Sequence, residues 1–189
     1  RVVRLLDDLF TRFDGAAALT KVEKIKTIGD AYMAVAGAPE SSPDHAESAL
    51  RLAQRMLVET AEWCVQHELD LQLRVGVASG PVVGGVIGQQ RILFDLWGDT
   101  VNAAQRMESS GIPGRIQVAS STKERLPDAY RFESREIDIK GMGLVTAHLL
   151  VLGRRHAANP QPRRGAAVRR ANRSRHDVDG RPTGPAEVL

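Results

Sequence analysis

Two short apolar runs, at residues 22 to 28 and 31 to 36, are separated only by Gly29 and Asp30. A glycine next to an aspartate in a two-residue gap is typical of the tight turn of a β-hairpin, because glycine adopts positive φ angles without steric cost. The runs therefore predict two adjacent antiparallel strands. Any fold that contains them must include an antiparallel sheet.

Helical patterns flank this hairpin on both sides. Residues 1 to 13 place apolar side chains at i, i+3 and i+4, and Asp14-Gly15 is expected to end that helix. After the hairpin, Ser42-Pro43-Asp44 is typical of a helix start, and the pattern predicts a long helix that reaches about Glu68.

The rest of the chain alternates between strand and helix patterns. Strands are expected near residues 71–78, 90–94, 115–119, 131–138 and 145–151, and helices near 99–109 and 120–126. Between the first two of these strands, Gly80-Pro81 and Gly84-Gly85 favour sharp turns. Hairpins as well as helical connections join the strands, so the fold class is α+β with a mainly antiparallel sheet flanked by helices.

Charge is distributed unevenly along the 189 residues. The segment after residue 153 holds nine of the 26 Lys and Arg but only three of the 23 acids, so the preceding part has a net charge of −3 despite a sequence pI of 9.3. This Arg- and Pro-rich segment has no apolar period, which predicts a disordered tail at 153–189 after one domain at 1–152. Nucleic-acid binding through the tail ranks last among the hypotheses, because the domain itself is net acidic, and no nucleic-acid partner is expected.

The cysteine content and the length of the apolar runs bear on the cellular location of the protein. A lone cysteine, Cys64, cannot form an internal disulfide and favours a reducing, cytoplasmic location. No apolar run approaches the roughly 18 residues of a membrane helix. The sequence opens inside a helical pattern at Arg1, so a preceding region is expected to be missing, and such a region could tether the protein to a membrane.

Four polar residues stand out because of their surroundings. Asp95 lies within the apolar run Phe94-Asp95-Leu96-Trp97 and needs a donor, while Lys26 lies between Ile25 and Ile28 and needs an acceptor. An edge-strand lysine that opposes aggregation is the structural alternative for Lys26. Asn102 and Arg106 are four residues apart on a predicted helix, so both could contact one anion, although a solvated polar face is the alternative.

With these residues collected, the chain closely resembles the catalytic domain of class III nucleotide cyclases. The segments that carry the resemblance are KIKTIGDAYM, SGPVVGGVIG, DLWGDTVNAAQRME and IDIKGMG, in that order, across residues 1 to about 152. The resemblance implies a fold related to the ferredoxin-like one. It also implies a homodimer, or a heterodimer with another cyclase chain, that binds ATP at the subunit interface.

The resemblance assigns a substrate role to three residues. It implies that Lys26 and Asp95 recognise the purine, with the lysine donating to a ring nitrogen and the aspartate accepting from the exocyclic amine of adenine. The guanylate branch of the family typically has Glu and Cys at these two places, so the adenylate branch is indicated. Lys140, in the last segment, is expected to contact the phosphates.

The same resemblance assigns the catalytic groups. Asn102 and Arg106 are expected to position the ribose and to stabilise charge on the α-phosphate. Asp30 is expected to be one of two aspartates that hold two Mg²⁺ or Mn²⁺ ions. Cyclic AMP and pyrophosphate would form by in-line attack of the ATP 3′-hydroxyl.

One part of the family pattern has no counterpart in this sequence. The family has a first strand and a tight loop before the helix at residues 1 to 13, and these carry the other metal aspartate. The domain is therefore expected to be truncated at its N-terminus. Two hypotheses stay open: an active adenylate cyclase, or a catalytically crippled remnant that acts as a dimerisation or regulatory module.

Overall fold

A computed structural model describes residues 2–88, 90, 92–139, 143–153 and 183–189. The elements in these residues are four helices, α1 Val2–Thr20, α2 His45–His67, α3 Asp99–Ser109 and α4 Ser120–Lys123, and eight strands, β1 Glu23–Ile28, β2 Ala31–Ala36, β3 Val75–Ile87, β4 Leu93–Trp97, β5 Ile116–Ala119, β6 Phe132–Ile139, β7 Gly143–Leu150 and β8 Thr183–Val188.

The strands form one sheet in the order β1-β2-β8-β3-β5-β7-β6, with β4 paired to β3 outside this path. Every pairing is antiparallel except that of β3 with β5. The predicted hairpin is confirmed, with Ile28 opposite Ala31 across the turn. The predicted α+β class with a mainly antiparallel sheet is also confirmed.

Helices cover both faces of the sheet. On one face, α1 and α2 bury Phe13, Leu50 and Trp63 against alternate residues of the strands. On the other face, Ala104 of α3 packs with a smaller cluster that includes Val35. In the described part of the chain, no helix combines the length and the apolar character needed to cross a bilayer.

The first helix is longer than predicted. It passes through Asp14-Gly15 and ends at Thr20, whose hydroxyl donates to the Ala16 carbonyl at 2.9 Å. Ala16 and Ala17 are buried against the core. Their burial offsets the roughly 1 kcal/mol that a glycine costs inside a helix.

The glycine-rich segment after residue 78 is also different from the prediction. It forms the second half of β3 rather than a pair of sharp turns, and β4 begins at Leu93, later than expected. Residues Val83–Ile87 pair with Leu93–Trp97. This two-stranded extension, called the arm below, shows that ladder hydrogen bonds override local turn preference.

Part of the expected C-terminal tail is ordered in the structure. Thr183–Val188 forms β8 inside the sheet, whereas residues 154–182 lie outside the described residues. Composition predicts disorder for this segment because its residues cannot form a core among themselves. The strand instead draws its stability from pairing with β2 and β3.

Candidate active site

A close ion pair joins the hairpin to the arm. Lys26 Nζ on β1 lies 2.5 Å from Asp95 Oδ2 on β4, although 69 positions separate the two residues in the chain. The Asp95 side chain is only 14% exposed, and that of Lys26 is 39% exposed. Asp95 thus has the donor and Lys26 the acceptor that their apolar surroundings require.

A β-bulge turns Lys26 toward this partner. Lys24 is opposite Ala34 on β2, but Lys26 is opposite Met33, so two steps along β1 match one step along β2. Simple alternation would place both lysines on the same face of the sheet. The bulge places Lys24 on the α1 side, where its Nζ lies 2.9 Å from Asp14, and leaves Lys26 on the opposite side beside Asp95.

The ion pair sets the protonation state of Asp95. Burial by itself raises the pKa of the Asp95 carboxyl group, but hydrogen bonds from Lys26 and from the Leu96 amide at 2.8 Å, together with the positive charge of Lys26, outweigh that effect. The net result is a pKa below the ordinary value of 3.8. Asp95 is therefore an anionic acceptor at neutral pH.

This lowered pKa has a consequence for stability. Because the carboxyl group is more acidic in the folded protein, its contribution is complete above the unfolded pKa of 3.8 and is lost as the pH falls through the lower folded pKa. We expect Asp95→Asn to cost about 1–2 kcal/mol at pH 7. The difference from the native protein should shrink at about pH 3, as measured by urea unfolding at each pH.

The exposed carboxylate Asp128 offers a matched control. Asp128→Asn should change the free energy of unfolding by less than about 0.5 kcal/mol at either pH. A cost of Asp95→Asn that is the same at both pH values would contradict the assignment of the lowered pKa to this pair.

The face of the arm that carries Asp95 is largely apolar. Side chains alternate along each strand, so Asp95 shares its face with Leu93 and Trp97, and with their partners Ile87 and Val83. All four apolar side chains are between 40% and 62% exposed. Exposed apolar groups in one contiguous patch are a mark of an interaction surface.

Asn102 and Arg106 lie on α3, which is confirmed at its predicted bounds. They are one helical turn apart on the same face, Asn102 exposed and Arg106 partly buried. The helix begins four residues after Asp95, so its first turn follows directly from the end of β4. Arg106 belongs to the last turn of α3 rather than to its N-terminal end. An amide and a guanidinium on one face of a helix form a suitable contact for an anion.

Three contacts that the sequence analysis missed hold α3 against the sheet. At its start, the Thr100 hydroxyl donates to the Pro81 carbonyl at 2.7 Å. At its end, the fully buried Gln117 side chain donates to the Met107 carbonyl at 2.9 Å. Also near its end, a Cβ on Gly76 would lie 2.0 Å from the Glu108 amide nitrogen, so only glycine fits there. A glycine within an apolar strand pattern was the available signal for this close approach.

Asp30 occupies the hairpin turn and is exposed. Within residues 2–88, 90, 92–139, 143–153 and 183–189, no three His, Cys, Asp or Glu side chains are grouped so that they could hold a metal ion. Asp30 therefore does not belong to a group of three such side chains among those residues. Lys140 lies outside the described residues.

A nucleotide cyclase domain is the class that this fold and this set of residues define. Residues 1–152 match the family described as the adenylate and guanylate cyclase catalytic domain, and the chain belongs to that family.

Among its relatives, an adenylate cyclase of Mycobacterium tuberculosis is 42% identical over 171 residues, which cover 90% of this chain and 38% of the relative. The chain thus spans well under half of that protein.

Solved structures agree with this assignment. The guanylate cyclase domain of RhGC from Catenaria anguillulae, determined with GTP, has a TM-score of 0.75 and 33% identity, and the match covers 79% of this chain and 83% of that one. The guanylyl cyclase domain of the RhoGC fusion protein from Blastocladiella emersonii, solved as a non-canonical dimer, has a TM-score of 0.63 and 31% identity. The match covers 79% of this chain and 82% of that one. Adenylate and guanylate cyclases are therefore both represented among similar proteins.

Proposed function

We propose that this domain is an adenylate cyclase that converts ATP to cyclic AMP and pyrophosphate. The observation that carries the proposal is the Lys26–Asp95 pair, which presents a donor from the hairpin and an acceptor from the arm side by side. Adenine offers an acceptor at its ring nitrogen N1 and a donor at its exocyclic amine, so it complements both groups. Guanine offers a carbonyl oxygen in place of the amine, and Asp95 would repel that oxygen.

The reaction itself places different demands on α3. The ATP 3′-oxygen forms a bond to the α-phosphorus, the bond from that phosphorus to the bridging oxygen breaks, and pyrophosphate leaves with the electron pair. The hydroxyl proton passes to solvent. Arg106 is proposed to stabilise the charge that grows on the α-phosphate oxygens, and Asn102 to orient the ribose, while Lys140 is proposed to contact the phosphates.

Mg²⁺ or Mn²⁺ is the proposed cofactor. Mg²⁺ commonly binds one or two carboxylates together with substrate phosphates, so an exposed Asp30 fits a metal ion that arrives with the nucleotide. When bound, the metal ions would lower the charge repulsion on the phosphates and make the attacking hydroxyl more acidic. Asp30 would contribute one negatively charged oxygen donor to such an ion.

A second copy of the chain is the proposed partner. The arm face around Asp95 exposes Val83, Ile87, Leu93 and Trp97, which is the apolar surface that a dimer contact needs. The solved dimer of a similar domain supports association of such chains. A dimer contact on this face would enclose the Lys26–Asp95 pair and exclude water from it.

Purine preference provides the direct test of the function. In the variant Lys26→Glu/Asp95→Cys, the acceptor of Asp95 is removed and Lys26 is replaced by an acceptor for the guanine N1–H group. We expect the ratio of kcat/KM for ATP to that for GTP to fall by about 100-fold, measured as cyclic nucleotide formation with Mn²⁺. Each ratio is taken within a single protein, so a change in stability or active fraction cancels.

Lys24→Glu is the matched control, because Lys24 belongs to the same strand but points to the opposite face beside Asp14. Its ATP-to-GTP ratio should equal that of the native protein. If the native protein binds ATP but forms no cyclic AMP, the enzyme proposal fails and the non-catalytic nucleotide-binding module is favoured instead. An unchanged ratio in the double variant would remove the purine role of the pair.

A further inference from the structure

A series of polar contacts lies beneath the C-terminal end of α3. Gln117 of β5 is completely buried, and its amide nitrogen donates to the Met107 carbonyl at 2.9 Å and to the Ser110 hydroxyl at 2.8 Å. The Ser110 hydroxyl in turn donates to the Arg106 carbonyl at 2.6 Å. Because the last carbonyls of a helix lack partners further along it, these contacts tie the final turn of α3 to the sheet.

The direction of donation in this series is fixed by its other end. The partly buried guanidinium group of Arg135 on β6 donates to the Gln117 amide oxygen at 3.5 Å. A reversed amide would place its oxygen against the Met107 carbonyl and its nitrogen against the guanidinium, so only the observed orientation suits both neighbours. Donation therefore runs from a cation to the Arg106 carbonyl, and successive hydrogen bonds of this kind strengthen one another. The side chains of Arg135, Gln117 and Ser110 and the Arg106 carbonyl are called the network below.

A close approach between helix and sheet brings the network together. Gly76 of β3 is directly opposite Gln117 in the parallel ladder, and the absence of a side chain there lets the backbone at Glu108 pass close to the sheet. An apolar residue at position 117 would fill the same space but would leave the Met107 carbonyl without this donor. Since an unpaired buried carbonyl is costly, the amide is required by the helix end above it.

The network ends on the residue that is proposed to contact the α-phosphate. Its last hydrogen bond is made to the backbone of Arg106, so it holds the base of that side chain. Asn102 lies one turn earlier, near the separate contact between Thr100 and the Pro81 carbonyl. A long side chain amplifies any rotation of its own turn, so the guanidinium position depends on how firmly the end of α3 is held.

We propose that Gln117 and Ser110 are positioning residues, which hold the last turn of α3 so that the Arg106 guanidinium points at the α-phosphate. Neither is proposed to contact the nucleotide. The catalytic part of this inference rests on the proposed function. The anchoring of the turn does not, so the two are tested separately.

Anchoring is tested by amide hydrogen exchange on the full chain without nucleotide. Gln117→Met keeps the approximate size of the side chain but removes both polar groups. We expect the Ser110 amide, which donates to the Arg106 carbonyl at 3.1 Å, to exchange about fivefold faster in this variant. The Asn102 amide should change by less than about twofold. No change at Ser110, or equal acceleration at both amides, would overturn local anchoring of the turn.

The link to the reaction is tested by a double-mutant cycle on kcat for cyclic AMP formation with Mn²⁺. In the native background, Gln117→Met should lower kcat roughly tenfold and leave KM within about twofold, because the guanidinium acts mainly in the transition state. Arg106→Ala removes that side chain but keeps the backbone contacts of the network. In this background, Gln117→Met should change kcat by less than about twofold. A residue with a purely structural role would lower kcat by the same factor in both backgrounds.

Two further variants complete the experiment. Ser110→Ala removes only the last link of the network and should lower kcat about threefold, so it serves even if Gln117→Met does not fold. Thr60→Val is the matched control, because it removes a buried hydroxyl that donates to the Met56 carbonyl at 2.7 Å within α2, on the opposite face of the sheet. Its kcat should stay within about twofold of the native value.

Native kcat in both Gln117→Met and Ser110→Ala, or an equal loss with and without the Arg106 side chain, would overturn the positioning role. If the native protein forms no cyclic AMP, the proposed function fails and the catalytic part of this inference fails with it. Exchange of the Ser110 amide would still decide whether Gln117 anchors the end of α3.

Discussion

Replacing Arg106 with alanine is expected to lower kcat for cyclic AMP formation by about 10²- to 10³-fold with little change in KM. The guanidinium on α3 is proposed to contact the α-phosphate, where negative charge increases as the new bond forms. An interaction that strengthens in the transition state affects kcat more than ground-state binding. Steady-state kinetics on ATP with Mn²⁺ provide the measurement.

Two variants control this experiment. Arg106→Lys keeps the charge but loses the planar fork of donors, so it should recover only part of the lost rate. Gln105→Ala changes the exposed neighbour on α3 and should leave kcat within about twofold of the native value. An Arg106→Ala variant with native kcat would exclude Arg106 from the reaction.

The second large effect is expected at Gly76, which lies under α3. In Gly76→Ala, the added Cβ would lie 2.0 Å from the Glu108 amide nitrogen and 2.5 Å from the Ala104 carbonyl oxygen. Both neighbours are backbone atoms, so the helix itself must move. We expect a loss of about 3 kcal/mol in the free energy of unfolding, measured by urea denaturation.

The same substitution should also reduce activity, because displacement of α3 moves Asn102 and Arg106. A shift of about 1 Å in a catalytic group lowers the rate by roughly 10²-fold.

Gly15→Ala is the matched control: nothing lies within 4 Å of its added Cβ, and it lies inside α1. That change should stabilise the protein by roughly 0.5–1 kcal/mol. Equal effects at the two glycines would contradict the close contact under α3.

Local patterns predicted much of the framework. The hairpin around Gly29-Asp30 and the helix at residues 99 to 109 depend on side chains a few positions apart, and both are present as expected. Predictions failed where distant chain segments decide the outcome. The glycine-rich half of β3 is extended because β4 pairs with it, and α1 passes Gly15 because Ala16 and Ala17 are buried.

The sequence by itself determined that Asp95 needs a donor and Lys26 an acceptor, since a charged group among apolar neighbours is costly without a partner. Only the tertiary structure decided that they meet, across 69 positions, and that a bulge turns Lys26 away from the face of Lys24. It also decided that Val188, in a segment whose composition predicts disorder, lies buried between Val35 and Ala78. The physical reason is common to these cases: a residue's own neighbours set what it requires, but the partner that meets the requirement is supplied by long-range packing.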